Sequence, residues 1–448
     1  MKQLHVYSTI LSKEGLKKQS YEIGLIPDTK EQEMFVVNLY PKKQYQTIEG
    51  FGAALTESAG YTLARMSEEN YKKVVESYYG KDGIGYTLGR IHMDSCDFSI
   101  DNYCAVSNPD DPEFGDFSLE RDAKYVQPLV KLCAKAAGKP LGMLLSPWSP
   151  PAFMKDTGVR NGGGHLKKEC YQTYADYIVK YIKEYQKLGI PVQSMTVQNE
   201  PLAVQTWDSC EYTAEEEKVF LRDYLYPTLQ KNDLDVAIYI WDHNKERVYE
   251  RACAIADDTT KGMVAGVAYH WYSGDHFDTL QMVREDFPEL KLMHSEGCVE
   301  LTRYGAAAGD DVRHAKMYAH DIIGDLNHGM NSWLDWNLVL DEIGGPNHVG
   351  NYCGAPIICD TTTDTVEIKP MFHAIEHFSK YIQPGAVRIG CSSFSPDMEM
   401  TAAQNPDGSC VLVIMHNSPE RKMIQLRVEG KIARFHIPGD SISTLVLE

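Results

Sequence analysis

The chain has 448 residues, 43% hydrophobic and 24% charged, an ordinary globular composition with length for one large α/β domain and a smaller companion. Its formal net charge of −19 argues against nucleic acid or an anionic membrane surface as the main partner. No stretch has the length and apolarity of an integral membrane segment, and MKQLHVYSTILSKEGLKKQSYE has neither the apolar core nor the cleavage site of a signal peptide; with eleven cysteines and no CxxC pair, a cytoplasmic protein with reduced thiols is expected.

In chain order, residues 1–45 contain TKEQEMFVVNLYP, a β-like segment with no helix partner. Residues 46–375 then repeat one theme: a short apolar run ends in polar or aromatic residues, and a helical stretch follows. Eight runs fit it: TIEGFGA (47–53), YTLGRIHM (86–93), LGMLLSPW (141–148), QSMTVQNE (193–200), VAIYIWDHN (236–244), GVAYHWY (266–272), LKLMHSEG (290–297) and NSWLDWN (331–337). The clearest helices between them are 123–138 and 171–189, with apolar residues three and four apart and a closing glycine. Strand then helix, eight times, predicts a (β/α)8 TIM barrel. Residues 376–448 change to short alternating runs broken by turn residues, which predict antiparallel strands. An isolated N-terminal hairpin would be marginal in water, so 1–45 is expected to add strands to the same side β-sandwich.

In such a barrel the C-terminal strand ends share one mouth. Glu200 ends the fourth run and Glu296 the seventh, so the two carboxylates can face each other across it. Such a pair suits glycosidic bond cleavage: one, protonated, serves the departing oxygen, and the other, ionised, attacks the anomeric carbon. The charge of the nucleophile is expected to raise the pKa of the acid. A single glutamate after an apolar run is more often a helix cap or a solvated loop residue; two at matching strand ends carry the inference.

All six tryptophans fall between residues 148 and 336. Most sit at strand ends, where indoles can stack on the C–H faces of a sugar, while Asn199, His270, Tyr272, Asn337 and Asn351 can meet its hydroxyls. Trp241 and Trp333, inside their runs, are expected to be core filler. There is no HExxH, no aspartate-rich calcium loop and no P-loop, and the histidines are dispersed, so no metal and no cofactor is expected.

GFGAALTESAG (50–60), GRIHMDSCDFS (89–99), LLSPWSPPAFMK (144–155), TVQNEP (196–201), AYHWY (268–272), SEGCVE (295–300) and WLDWNLVLDEIGGPNHVGN (333–351) together resemble glycoside hydrolase family 30, in its glucosylceramidase-like branch, across nearly the whole chain. The resemblance implies a retaining, exo-acting β-glycosidase on a barrel fused to a β-sandwich. It implies Glu296 as nucleophile and Glu200, after Asn199, as acid/base. It makes Trp148, Asn199, His270, Tyr272, Cys298, Trp336 and Asn351 the wall of the sugar subsite, and Arg90 a brace beneath the nucleophile. Glu57 stands where mammalian members carry aspartate. It is expected to touch the outer hydroxyls of the sugar, with a helix cap near Ser58 as the alternative. Cys298 reads as a packed thiol; a covalent role would need an adjacent base, and none is evident in the sequence.

The expected partner is a small β-glycoside or glycolipid. β-Xylosides, β-fucosides and β-1,6-linked glucosides remain alternatives, and cleavage of ceramide glycosides outside the cell would require export by a non-classical route. Two rivals belong to other classes: a carbohydrate sensor without turnover, and a metal-dependent hydrolase on the same barrel.

Overall fold

The structure is a computed structural model that describes residues 3–13, 15–30, 34–111, 113–301 and 309–448. Eight parallel strands close into a barrel: Gly50–Ala54, Leu88–Met93, Gly142–Pro147, Val192–Thr196, Ala237–Asn244, Val264–His270, Lys291–Glu296 and Met330–Asn337, the last pairing with the first. Each predicted run contributes one of them. Side chains from five strands, Leu144, Tyr239, Ala268, Met293 and Leu334, pack together in a core cluster of their own. Above this apolar group come buried polar side chains, Arg90, Ser146, Asp242 and Ser295, so the barrel changes from apolar to ionic toward the strand ends.

Two runs differ in detail from expectation. Thr47 and Ile48 end a long strand, Val36–Ile48, that belongs to the second sheet, and the barrel begins only at Gly50. The fourth strand stops at Thr196, so Glu200 lies in the loop beyond it. Gly52 in the first strand shows why its run is rich in small residues: a Cβ there would lie 2.2 Å from the carbonyl oxygen of Leu88 on the next strand.

The second sheet has ten strands, formed by Gln3–Ile10, Lys17–Gly24, Ile26–Pro27 and Val36–Ile48 from the N-terminal segment and six strands between Ala386 and Leu447. All its pairings are antiparallel except one: Lys422–Val428 runs parallel to Val36–Ile48, a departure from the all-antiparallel expectation. The strand Cys410–His416 is buried along its length. Leu412 and Ile414 enter the sandwich core, whereas Val411, Val413 and Met415 join the core of the barrel, so alternation serves two cores and the sequence reads as one apolar run. His377, on helix Pro370–Ser379, ties the parts together: its ring nitrogens meet Thr444 Oγ1 at 2.8 Å and Thr9 Oγ1 at 2.9 Å. Burial pulls this imidazole down to about 3, so it is neutral and both nitrogens are satisfied.

Helix Tyr171–Lys187 places Tyr174, Tyr177, Tyr181 and Tyr185 on one buried face at three- and four-residue spacing. Tyr185 donates to Asp122 at 2.6 Å and Tyr177 to Asp94 at 2.7 Å. Asp94 has φ of +60°, and its side chain, held also by Arg160 at 3.4 Å, fixes the loop after the second strand at the barrel mouth.

Because the obstacle at Gly52 is backbone, Gly52→Ala should lower stability by at least ~1–3 kcal/mol, the usual cost of overpacking. Urea denaturation measures this; an unchanged midpoint would contradict the close approach of strands one and two.

Candidate active site

Arg90 comes from the second strand and is fully buried. Its guanidinium uses each nitrogen. Nη1 donates to Glu296 Oε2 at 2.6 Å, Nη2 to Asn199 Oδ1 at 2.8 Å and to Asp242 Oδ2 at 2.9 Å, and Nε to Ser146 Oγ at 3.1 Å. The guanidinium carbon lies 4.8 Å from the ring centre of Trp148 and 5.4 Å from that of Trp336, two indoles stacked with centroids 5.2 Å apart. One cation thus fixes residues from five segments. Burial opposes its charge, but Asp242 and Glu296 outweigh that effect and hold its pKa up.

Asp242 receives a second set of bonds, from Ser295 Oγ at 2.5 Å and His270 Nε2 at 3.0 Å. The backbone at Trp241 and Asp242 is left-handed, with φ of +76° and +54°. That costs of order 1–3 kcal/mol per residue. Glu217 holds the bend by accepting the Trp241 N–H at 2.8 Å, and the bend turns Asp242 toward the barrel axis. Burial raises the Asp242 pKa, but Arg90 and His270 overcome it and hold the carboxyl well below its ordinary value.

Glu200 sits on the loop after strand four with φ of +47°, its N–H donating to the Asp242 carbonyl at 2.9 Å. Its Oε1 lies 3.2 Å from His270 Nδ1. Glu296 ends strand seven and accepts from Tyr272 Oη at 2.9 Å as well as from Arg90. A carboxylate oxygen of Glu200, one of Glu296 and a ring nitrogen of His270 all lie within 4.8 Å of one another. The two carboxyls therefore face each other across the mouth.

Their proton affinities run opposite to the expectation. Burial tends to raise Glu200, yet its hydrogen bond with His270 and the charges of His243 and His270 bring it below its ordinary value. Glu296 is raised by burial and by the charge of Glu200, against the pull of His270 and Arg90. His270 is the reason: burial lowers its pKa, but Glu296, Asp242 and Glu200 together push it up to about 9. In the resting pocket the proton is held on the imidazole beside Glu200.

Trp148, Asn199, Glu200, Tyr272, Glu296, Cys298, Trp336 and Asn351 line one pocket, joined by Asp97, Gln205, Trp207, His243, Asn244, Glu300 and Cys353. His270 stands behind Glu200, and Arg90 supports the carboxylates from within. Asn337 is buried, accepting from Thr56 Oγ1 at 3.1 Å, and is not among the lining residues. Trp241 and Trp333 lie in the main core.

Glu57 requires a correction. It opens the helix Glu57–Ala64, capped by Thr56, and is fully buried. Its carboxylate is bound by Arg121 and by the N–H of Ile100 at 2.9 Å, and it does not line the pocket. Asp97, in SCDFS, does line it. Asn347 Nδ2 donates to it at 3.3 Å, and Asn351 also bonds it. Burial and then the charges of Glu296 and Glu200 raise its pKa well above the ordinary value.

Two acidic and histidine groups among the described residues could hold an ion. One is Glu200, His270 and Glu296, where Arg90 already supplies positive charge. The other is His294, Asp321 and Asp325, where the buried ammonium of Lys245 pairs with both aspartates, 2.8 Å from Asp325.

The model of the glycosyl hydrolase family 30 TIM-barrel domain matches residues 48–382, and that of the family 30 beta sandwich domain matches 385–445. Lysosomal acid glucosylceramidase of Mus musculus is 33% identical over 420 residues, 90% of this chain and 81% of its own length. The crystal structure of SrfJ from Salmonella typhimurium superposes with a TM-score of 0.94 at 36% identity, covering 100% of this chain and 99% of that one. The endo-beta1,6-glucanase BT3312 gives 0.86 at 25% identity, with the same coverage.

Arg90→Met leaves Asp242 and Glu296 buried without their cation and should cost about 3–5 kcal/mol near neutral pH. In the natural chain Asp242 is depressed, so its contribution is present above the unfolded value of about 3.9 and is lost as pH falls below it. In the variant His270 still opposes burial, but without Arg90 both carboxyls move up, so their penalty is relieved as pH falls through the shifted values. Urea midpoints at about pH 7 and about pH 5 should therefore show a smaller deficit at the lower pH; a deficit that stays equal or grows would contradict this assignment.

Proposed function

The chain belongs to glycosyl hydrolase family 30, and from that premise we propose that it is a retaining, exo-acting β-glycosidase working by double displacement on β-glucosides, glucosylceramide among them. The observation that carries the reading is the approach of the Glu200 and Glu296 carboxylate oxygens to within 4.8 Å. Retaining glycosidases set this pair about 5–5.5 Å apart, whereas inverting enzymes need about 6.5–9.5 Å to admit a water between them.

Glu296 is the nucleophile. Arg90 and Tyr272 both donate to it, which offsets part of the rise that burial and Glu200 cause and aims its oxygens. Glu200 is the acid/base, and its proton is shared with His270. Transfer from Nδ1 to Oε1 across the 3.2 Å contact turns imidazolium and carboxylate into imidazole and carboxylic acid. Glu200 then protonates the departing oxygen as a Glu296 oxygen bonds the anomeric carbon. Esterification removes the charge of Glu296, one of the causes that hold His270 up. In the second step Glu200 takes a proton from water, which attacks the anomeric carbon and releases Glu296 with configuration restored.

The stacked pair Trp148–Trp336 supplies an apolar wall, and Asp97, Asn199 and Asn351 supply partners for hydroxyls. Asp97 takes the outer-hydroxyl role expected of Glu57. The mouse relative's name supports a glucosylceramide-type substrate, and the name of BT3312 supports a β-1,6-linked glucan as second reading. A xyloside or fucoside preference would follow if the pocket excluded or ignored the hydroxymethyl group of glucose.

Glu200→Ala should lose far more rate on β-glucosides with poor leaving groups than on those with good ones, since only the former need protonation. Azide should restore part of that rate and give the β-glucosyl azide. Equal losses on both substrate classes, or an α-azide product, would remove Glu200 from the acid/base role.

A further inference from the structure

The pocket wall holds a pair of thiols that the proposed reaction does not use. Cys298 follows strand seven by two residues and Cys353 lies beyond strand eight; both line the pocket, and they are 2% and 1% exposed. A short ladder brings them together. Glu300 and Cys353 are antiparallel bridge partners, flanked by the Gly354 N–H donating to the Val299 carbonyl at 2.8 Å and the Leu301 N–H donating to that of Tyr352 at 3.1 Å. Glu300 and Cys353 are thus the pair not bonded to each other, whose side chains stand close on one face. By strand alternation Cys298 shares that face as the diagonal neighbour of Cys353, and each thiol lies near enough to alter the proton affinity of the other.

Cys298 Sγ also lies 3.5 Å from Tyr272 Oη. That hydroxyl donates its proton to Glu296 Oε1, so its oxygen can accept the thiol proton of Cys298. An S–H···O–H···O chain therefore runs from Cys298 to the Glu296 carboxylate. The base a pocket thiol needs is present, one residue removed. Burial pushes the Cys298 thiol well up, so proton loss through this chain governs its reactivity.

We propose that Cys298 and Cys353 are a modification site for hydrogen peroxide, and that their oxidation to a disulfide reversibly shuts the sugar pocket. Cys298, its proton passed through Tyr272 to Glu296, attacks one peroxide oxygen; the S–O bond forms, the O–O bond breaks, and the departing hydroxide takes up that proton as water. The Cys353 thiol attacks the resulting sulfenic sulfur; the S–S bond forms, the S–O bond breaks, and the second water leaves with the Cys353 proton. Two thiols and one peroxide give one disulfide and two waters. Diagonal neighbours have Cα atoms roughly 7–8 Å apart, with Cβ atoms somewhat closer, whereas a disulfide holds its Cβ atoms at about 3.8 Å. Closing the bond therefore draws Cys298 from Tyr272 and shifts the hydroxyl that aims Glu296. A displacement of about 1 Å at a reacting group can cost about a hundredfold in rate.

The full-length protein is exposed to hydrogen peroxide, quenched with catalase, and read by intact mass, by a non-reducing peptide map and by hydrolysis of an aryl β-glucoside. Each variant is scaled to its own untreated rate. The natural chain should lose two hydrogens of mass, give a peptide joining residues 298 and 353, fall about a hundredfold in rate, and recover in dithiothreitol. Cys353→Ala should form no such peptide and carry added oxygen at Cys298. Mass and cross-link do not depend on any substrate, so they stand or fall apart from the glycosidase reading. Both thiols still free after other cysteines have oxidised, rate loss without the 298–353 peptide, or a cross-linked protein with full activity would each overturn the proposal.

Discussion

The site depends on one buried guanidinium. Arg90 has no exposed surface, and its partners come from the third, fourth, fifth and seventh strands or the loops that follow them. At the effective dielectric of protein sites, near 20, opposite charges about 4 Å apart attract by about 4 kcal/mol. Desolvation takes several kcal/mol per ion, so this cluster contributes little net stability. What it contributes is geometry: three carboxyls, an imidazole and a phenol cannot be held this close unless a fixed cation balances them. The left-handed turns at Glu200, Trp241 and Asp242 are the backbone counterpart of that constraint.

The same crowding explains the reversed proton affinities. Expectation from the sequence treated Glu200 and Glu296 as an isolated pair, in which the nucleophile's charge raises the acid. The folded pocket is a coupled set that also contains His270, Asp242 and Arg90, and the proton goes where most negative charge converges, on His270. A two-residue argument could find the carboxylates but not the residue between them that stores the proton. Asp97 is a further pocket acid, raised by burial and then by the same two glutamates.

The barrel was legible because its period is regular. Each strand is a short apolar run, and most runs end in polar or aromatic residues at the mouth. That signal led to Glu200 and Glu296. It failed for Asp242, which lies inside strand Ala237–Asn244 and is turned inward by a backbone bend that residue types do not reveal. The family resemblance misled at Glu57, where the acid belongs to a helix start and an ion pair with Arg121. Register was also hidden: Thr47 and Ile48 share β-prone character with the barrel strand that follows, and only the pairing with Ala386 and Val387 assigns them to the second sheet. The contact of Cys298 with Cys353 arises from a loop ladder that no spacing rule predicts.

The central claim, that Glu296 bonds the anomeric carbon while Glu200 faces it, is tested most directly by trapping. An activated 2-deoxy-2-fluoro-β-glucoside slows both steps but leaves with ease, so a covalent intermediate accumulates. Peptide mapping should find the fluorosugar on Glu296 alone, in the peptide containing HSEGC, with turnover recovering as it is released. A label on Glu200, on another residue, or none despite slow hydrolysis would contradict the account.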